Sequence, residues 1–399
     1  HNLYIDTETG YGFLAGCNLN NGGVIIIDLF TDAGHPIYVA AAAPVYAHDV
    51  YTRGNFIYSS DINDGTFAIQ DMTDKNNIFT VATQRTPFAF THNAWLSDDS
   101  KVIFTTDERG NASVGAYDIS DMNNIEYLDE FRPLGSLNEG LIPHNVHVID
   151  NYLVTSFYTE GVIITDAKRP NNLIEVGNYD TFGGPNGGFN GTWGAFPFFD
   201  SGIVLATDIR SGLFVLQPTY TRACYLEGIT TDSITGLPLE GVTVRIVSDD
   251  PNLDISRASG EYRTGQVTPG TFEVVFSRPN YTSKTISVNL SNGELTALNV
   301  SLAPEQDLVS SIPLLNEVIE FNVFPNPFVQ QTNVQLAFSD LPNAAELVVT
   351  DFLGRIVERQ PITQKRNNFI IGQNWESGIY TLQIIAKNRA SLPLKIIKN

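Results

Sequence analysis

The chain has 399 residues, of which 23 are Lys or Arg and 44 are Asp or Glu, so its formal net charge is −21 at pH 7. This length predicts more than one domain. The net negative charge repels nucleic acid and anionic lipid surfaces, and so disfavours a polyanionic partner. No apolar run of about 18 residues occurs, so the sequence predicts no transmembrane segment.

Short runs in which apolar and polar residues alternate, bounded by Gly, Asn and Asp, occur along the whole chain. No long stretch carries apolar residues at helical spacing. This pattern predicts an all-β protein.

Two sequence markers recur through residues 1–218. A histidine followed by Asn or Asp opens four segments, HNLYID (1–6), HDVYTR (48–53), HNAWLS (92–97) and HNVHVI (144–149). Later in each unit an apolar run ends in an aspartate, at Asp28, Asp71, Asp118 and Asp166, whereas the fifth unit has Gln217 at that position. Units of about 45 residues with four short strands each are typical of β-propeller blades.

The fifth unit ends after three strands and needs a fourth from elsewhere. The chain begins at His1 without an initiator Met or a leader pattern, which predicts a processed product or a fragment. We therefore expect five blades or part-blades in an incomplete ring, with the missing strand supplied by sequence before His1.

Residues 1–218 resemble the secreted bacterial choice-of-anchor B proteins, which are built of LVIVD-type repeats. The resemblance rests on segments such as HNLYIDTETGYGFLAG, THNAWLSDDSKVIFTTDE and PHNVHVIDNYLVTSFYTEGVIITD. It implies a secreted β-propeller with further blades before the first His-Asn unit.

Antiparallel neighbours in a blade bring the start of the innermost strand beside the end of the second strand. This predicts His48 beside Asp61, His92 beside Asp107 and Thr192 beside Asp208, all at one mouth of a central channel. The candidate binding residues on this face are His1, Asn2, His48, Asp49, His92, Asn93, His144, Asn145, Asp61, Asp107 and Asp208.

Two interpretations of these residues stay open. Each histidine donates to a backbone carbonyl or to its neighbouring aspartate, and so fastens the inner strand to the adjacent loop, because buried backbone groups need partners. Alternatively, His48, His92 and His144 with Asp61 and Asp107 hold a divalent metal such as Zn, Mn or Fe. The opening histidine recurs once per blade, which favours the fastening role. The sequence does not identify a cofactor.

Other polar and aromatic residues receive structural interpretations. The pair Asp107 and Glu108 is typical of a solvated turn, and DINDG (61–65) predicts a hairpin turn more than a calcium loop because it lacks the later bidentate Glu. Trp95 and Trp193 are expected to pack rather than to stack on sugars. The Gly-rich segment 178–191 predicts a surface loop on the histidine face and is the best candidate for partner contact.

The remaining chain predicts two small β-sandwich domains. Residues 221–303, with GLPLEGVTVRI, SGEY and PGTFEVVF, resemble the carboxypeptidase-regulatory-like domain, and 304–319 is interpreted as a linker. Residues 320–399, with VFPNPF, DFLGR, SGIYTLQI and PLKIIKN, resemble the type A C-terminal sorting domain of the type IX secretion system of Bacteroidetes-like bacteria. That resemblance implies export by the secretion machinery, to the medium or the outer cell surface.

The sequence contains no nucleophile elbow, phosphate-binding loop or His-Glu-x-x-His motif, which disfavours an enzyme. The leading hypothesis is a non-catalytic propeller that binds an extracellular protein or glycan, or serves an extracellular structure. The alternatives are a metal-dependent enzyme with its site at the channel mouth, and a structural subunit of an extracellular assembly.

Overall fold

The computed structural model describes residues 1–250, 252–305, 314–387 and 389–399. These residues form two compact units, His1–Pro304 and Glu305–Asn399. Most of the expected linker, at 306–313, lies outside the described residues. Within the described part, the structure contains no helix with the length and apolarity needed to cross a membrane.

Five antiparallel sheets occupy the first part of the larger unit, and in each of them the strands pair in chain order. The first sheet contains β1 (Asn2–Asp6), β2 (Tyr11–Ala15), β3 (Ile25–Asp28) and β4 (Ile37–Ala41). The second contains β5 (Asp49–Arg53), β6 (Phe56–Asp61), β7 (Thr66–Asp71) and β8 (Phe79–Arg85). The third contains β9 (Thr91–Leu96), β10 (Val102–Asp107), β11 (Val114–Asp118) and β12 (Glu126–Phe131).

The fourth sheet contains β13 (Val146–Ile149), β14 (Tyr152–Ser156), β15 (Val162–Asp166) and β16 (Ile174–Tyr179). The fifth contains three strands, β17 (Thr192–Phe196), β18 (Val204–Asp208) and β19 (Gly212–Leu216). Short 3-10 turns occur at Asn20–Gly22 and Leu134–Ser136.

Apolar side chains fill the space between successive sheets. Phe13 of the first sheet packs with Ile57 of the second, and Phe67 of the second packs with Ile103 of the third. Similar buried clusters join the third sheet to the fourth and the fourth to the fifth. The first strands of successive sheets are also neighbours. Removal of these side chains from water stabilises the radial arrangement, and the predicted all-β propeller is confirmed.

The repeated aspartates close the turns that follow the third strand of each blade. The carboxylates of Asp28, Asp71, Asp118 and Asp166 each accept the backbone N–H two residues later, at 2.7–3.0 Å. This Asx turn replaces a backbone turn contact with a side-chain one. The turn geometry therefore explains why the sequence repeats an aspartate at this point.

The apolar faces at the two ends of the series are exposed. Leu3 and Ile5 of the first sheet and Leu213 and Val215 of the fifth are all exposed to solvent. The five described sheets thus form an open series.

A β-sandwich follows the propeller within the same unit. Its strands are β20 (Cys224–Asp232), β21 (Thr243–Ile246), β22 (Asp254–Ile255), β23 (Glu261–Gln266), β24 (Gly270–Ser277), β25 (Lys284–Leu290), β26 (Leu295–Ala297) and β27 (Val300–Leu302). Strand β20 pairs with β23 on one side and with β26 and β27 in parallel on the other, and it faces the sheet β22-β21-β24-β25.

The sandwich is fixed to the fourth blade by charged and apolar contacts. The carboxylate of Asp166 accepts from Arg222 Nη1 at 2.6 Å and from the Ala223 N–H at 2.8 Å. Arg169 donates to Glu227 through two nitrogens, at 2.7 and 2.8 Å. The turn aspartate of the fourth blade therefore also holds the chain that enters the sandwich.

The smaller unit is a second β-sandwich. Its strands are β28 (Val318–Phe324), β29 (Thr332–Phe338), β30 (Ala345–Asp351), β31 (Ile356–Ile362), β32 (Arg366–Ile371), β33 (Gly378–Ala386), β34 (Arg389–Ala390) and β35 (Leu394–Lys398). Strand β28 begins two residues before position 320, inside the segment interpreted as a linker. In the DFLGR motif, Asp351 accepts the N–H groups of Leu353 and Arg355, both at 2.9 Å, and closes the hairpin from β30 to β31.

Candidate functional site at the inner strands

Four imidazoles from successive sheets lie against one another, with their ring planes tilted by 37–54°. We call His1, His48, His92 and His144 the histidine row; each stands at or just before the first strand of its blade. The ring centroids are 3.7 Å apart for His1 and His48, 4.3 Å for His48 and His92, and 4.1 Å for His92 and His144. The structure therefore brings the four opening histidines together.

Three rings of the histidine row contact a carbonyl of the next sheet through Nδ1. His1 contacts the His48 carbonyl at 3.0 Å, and His92 contacts the His144 carbonyl at 2.9 Å. His144 contacts the Trp193 carbonyl in the same way. Since a carbonyl only accepts, Nδ1 carries the proton in each of these rings and Nε2 keeps its lone pair. The Nδ1 of His48 is buried without a partner.

A layer of Asn and Asp side chains runs beside the histidine row. Asp49 accepts from the side-chain amides of Asn2 and Asn93, and from the Val50 N–H at 2.7 Å. Asn93 in turn accepts the Val146 N–H at 2.9 Å. Burial raises the pKa of Asp49 to about 6. These contacts join the first four blades.

The side-chain oxygen of half-buried Asn145 and one carboxylate oxygen of buried Asp61 are shielded from solvent without a hydrogen-bond partner. The Asp61 carbonyl accepts from Asp64 and Gly65, at 3.0 and 2.9 Å, so DINDG forms the hairpin turn from β6 to β7. Burial raises the pKa of the Asp61 carboxyl to about 7.

Asp107 and Asp208 hold loops. Asp107 accepts from the Thr86 hydroxyl at 2.6 Å and from two backbone N–H groups of the loop that precedes β9. Asp208 accepts from Thr181 at 2.7 Å and from two N–H groups of its own turn. Among the described residues, the cluster able to hold a metal contains neither these two aspartates nor His48 and Asp61.

Glu108 occupies the place where the sequence suggested an aspartate. Its carboxylate oxygens lie 3.9 Å from His92 Nε2 and 3.8 Å from His144 Nε2. The Tyr158 hydroxyl donates to Glu108 Oε1 at 2.7 Å. The side chain is only 16% exposed, so the expected solvated turn at Asp107 and Glu108 is wrong for Glu108.

A β-bulge is the physical reason for this difference. Pairing between β9 and β10 steps from Thr106 opposite Asn93 to Asp107 opposite Thr91, which leaves His92 as the extra residue. A bulge reorients the side chains around it. Sequence alternation alone gave no signal for this bulge.

Desolvation sets the charge state of the site. Burial lowers the pKa of His144 to about 4 and that of His92 well below its ordinary value, while burial raises the pKa of Glu108. Both imidazoles are therefore neutral at pH 7.

Aromatic side chains border the histidine row. Trp193, which lies 5.3 Å from the His144 ring between centroids, is 53% exposed. Phe189, in the Gly-rich loop that follows β16, is 59% exposed and contacts the Tyr158 ring. Trp95 packs against Tyr51, so the packing expected of both tryptophans is found for Trp95, whereas Trp193 faces solvent.

His147, three residues after His144 and within β13, links the fourth sheet to the fifth. Its Nδ1 contacts the Ala195 carbonyl at 2.8 Å. Sequence reasoning missed this residue, although its spacing of three from His144 was visible.

Comparison with known proteins identifies the two sandwich domains. Residues 226–303 match the carboxypeptidase regulatory-like domain family, and residues 322–399 match the secretion system C-terminal sorting domain family. Both resemblances are thereby confirmed. No curated protein matches the chain.

Solved structures with a similar fold are distant in sequence. PpgL, a periplasmic gluconolactonase from Pseudomonas aeruginosa, has 12% identity and a TM-score of 0.41, covering 73% of this chain and 85% of its own. The β-propeller domain of Cps50 (Swd1) from Myceliophteria thermophila has 10% identity and a TM-score of 0.40, covering 84% and 92%.

PorZ, a surface component of the type IX secretion system of Porphyromonas gingivalis, has 11% identity and a TM-score of 0.36, covering 100% of this chain and 59% of its own. Similarity at this low level supports no conclusion about the fold beyond the one that the sheet topology already gives. The fold and the sorting domain define an all-β propeller protein that is carried by the type IX secretion machinery and is secreted or held at the outer cell surface.

Proposed function

We propose that the protein is an exported, non-catalytic binding protein that contacts an extracellular protein or glycan with the mouth of its propeller. The carrying observation is the exposure of Trp193 and Phe189 beside the histidine row. Exposed aromatic side chains supply large contact areas and are enriched at binding interfaces.

The loop that carries Phe189 is held in place by polar contacts. Asn186 donates to Glu139 at 2.7 Å and to Glu160 at 3.3 Å, and the Gly187 N–H donates to the Thr159 hydroxyl at 3.1 Å. A binding loop that is already ordered loses less conformational entropy on association. The carboxylates around it favour a partner that presents hydroxyl or amine donors.

We also assign residues 1–218 to the choice-of-anchor B family with LVIVD-type repeats. The opening histidines and turn aspartates support this assignment, because the carbonyl contact recurs at His1, His92 and His144 and the Asx turn recurs at all four aspartates. The boundaries 1–218, 221–303 and 320–399 belong to the same proposal.

Trp193→Ala should weaken partner binding by tenfold or more, since truncation of a central aromatic at an interface typically costs about 2 kcal/mol or more. The measurement is binding of the purified full chain to arrays of extracellular proteins and of glycans, followed by titration with the strongest hit. Phe30→Ala is the matched control, because Phe30 is 84% exposed and follows β3 at the opposite end of the first blade.

The proposal fails if the native chain binds nothing on either array, or if both variants bind like the native chain. Hydrolysis of an ester, phosphate or glycoside panel at enzyme-like rates would overturn the non-catalytic role.

The second candidate function is a metal-dependent enzyme. The cluster of His92, Glu108 and His144 is the specific observation in its favour. Chelator-sensitive turnover of the same hydrolase panel would select this candidate.

A further inference from the structure

We propose that His92, His144 and Glu108 bind one divalent transition metal ion of the zinc class, which joins the third and fourth blades at the propeller mouth. This site keeps His92 and His144 of the set suggested by the sequence, but has Glu108 in place of His48, Asp61 and Asp107. It goes beyond the proposed binding function, which rests on Trp193 and Phe189, and it has its own readout; it also supplies the metal on which the second candidate function would depend.

The ligand atoms are spaced for a single ion. The two Nε2 atoms lie 3.9 and 3.8 Å from the Glu108 oxygens, and all candidate ligand atoms lie within 4.8 Å of one another. Donors on a tetrahedral zinc with bonds of about 2.0–2.2 Å are separated by about 3.4 Å. Small side-chain rotations therefore bring the three groups into coordination.

The two imidazoles are already oriented for binding. Their Nδ1 atoms are bound to the carbonyls of His144 and Trp193, so each Nε2 lone pair is directed at the Glu108 side. Thr106 donates to the same His144 carbonyl at 2.5 Å and fixes it. Metal-binding histidines characteristically donate their other ring N–H to a carbonyl or carboxylate in this way.

Tyr158 orients the carboxylate from the fourth blade. Its hydroxyl donates to Glu108 at 2.7 Å, and its backbone φ is +40°, which is unusual for a residue other than glycine. The Tyr158 carbonyl accepts the Thr192 N–H at 2.8 Å, which keeps this strained conformation in place. Strain of this kind concentrates at functional sites.

The donor set selects the class of ion. Two imidazole nitrogens and one carboxylate suit zinc, iron, cobalt or manganese, whereas calcium and magnesium require mostly oxygen ligands. Three protein ligands leave a further position for water or for a donor atom of a bound partner. Because His92 and Glu108 belong to the third blade and His144 to the fourth, the ion would cross-link the blades.

The test uses the full chain without a polyhistidine tag, stripped with chelator and titrated with Zn²⁺ and with Co²⁺. We expect one ion per chain by calorimetry and visible Co²⁺ absorption bands of low coordination number. Glu108→Gln and His144→Gln should each weaken binding by about 100-fold or more, and Tyr158→Phe by about 10-fold as a positioning residue.

His147→Gln is the matched control, since His147 lies in β13, three residues after the fourth-blade ligand His144, but outside the cluster. It should leave affinity unchanged. Circular dichroism and a thermal scan without metal establish whether each variant is folded. Glu108→Gln keeps the shape and volume of the native side chain, so it decides the test if His144→Gln is destabilised.

Failure of the native chain to bind either ion overturns the proposal. So does binding that survives both Glu108→Gln and His144→Gln, which would place the ion elsewhere, for example at the exposed pair of His35 and Asp32. Partner binding measured in chelator, with Trp193→Ala as its own variant, separates failure of the metal site from failure of the proposed function.

Discussion

Asp166→Ala should destabilise the His1–Pro304 unit by about 2–3 kcal/mol, because a hydrogen bond to a charged group contributes about 1.5–3 kcal/mol and the Arg222 side chain, at 26% exposure, keeps part of its hydration. Asp166 is fully buried and accepts hydrogen bonds from Arg222, Ala223 and Lys168. Its loss leaves the Arg222 guanidinium without its carboxylate and the Ala223 N–H without its acceptor. Urea unfolding followed by circular dichroism measures the change.

Asp118→Ala provides the matched control. Asp118 stands at the equivalent turn of the third blade and accepts the Ser120 N–H at 2.8 Å, so its removal should cost about 1 kcal/mol, the net value of one hydrogen bond. Equal losses in the two variants would show that the contacts of Asp166 with Arg222 and Ala223 contribute nothing to stability.

Asp61→Asn should change the pH dependence of stability. The folded-state pKa of Asp61 is raised to about 7 by burial, from 3.8 in the unfolded chain. Below pH 4 the Asp61 carboxyl is protonated in both the folded and the unfolded chain, so it does not make the free energy of unfolding depend on pH. Between about pH 4 and pH 7 only the unfolded chain releases the proton, so stability falls as pH rises, by about 1.4 kcal/mol per unit.

An asparagine carries no such proton, so the stability of Asp61→Asn relative to the native chain should rise by about 4 kcal/mol between pH 4 and pH 8. The free-energy cost of burying the asparagine amide is the same at pH 4 and pH 8, so it cancels when the two pH values are compared. Denaturant unfolding at a series of pH values is the measurement. Asp64→Asn, which removes an exposed carboxylate of the same turn, controls for the change of net charge; parallel profiles for Asp61→Asn and the native chain would contradict the prediction.

The blades could be predicted from the sequence because each repeated residue has one local role. Asp71 and Asp118 close Asx turns and His92 contacts the next blade, and a role that recurs in space leaves a period in the sequence. The clustering of the opening histidines also followed from strand order, since the innermost strands of successive blades are neighbours.

The identity of the carboxylate at the site could not be predicted. Glu108 reaches His92 and His144 because the bulge at His92 shifts the pairing of β9 and β10. Bulge positions depend on tertiary packing, and Asp107 and Glu108 are adjacent in sequence, so alternation offered no basis for choosing between them. The exposure of the Trp193 side chain could not be predicted from the sequence either, because it depends on which residues lie next to the fifth sheet.

The three carbonyl contacts of the histidine row run in one direction, each from one blade to the following one. His1 reaches the second blade, His92 the fourth and His144 the fifth. Coupling between nearest neighbours makes opening spread inward from the ends of an array, in the manner of a zipper. Amide protons in β10 and β14 should thus exchange with deuterated solvent more slowly than those in β2 and β18.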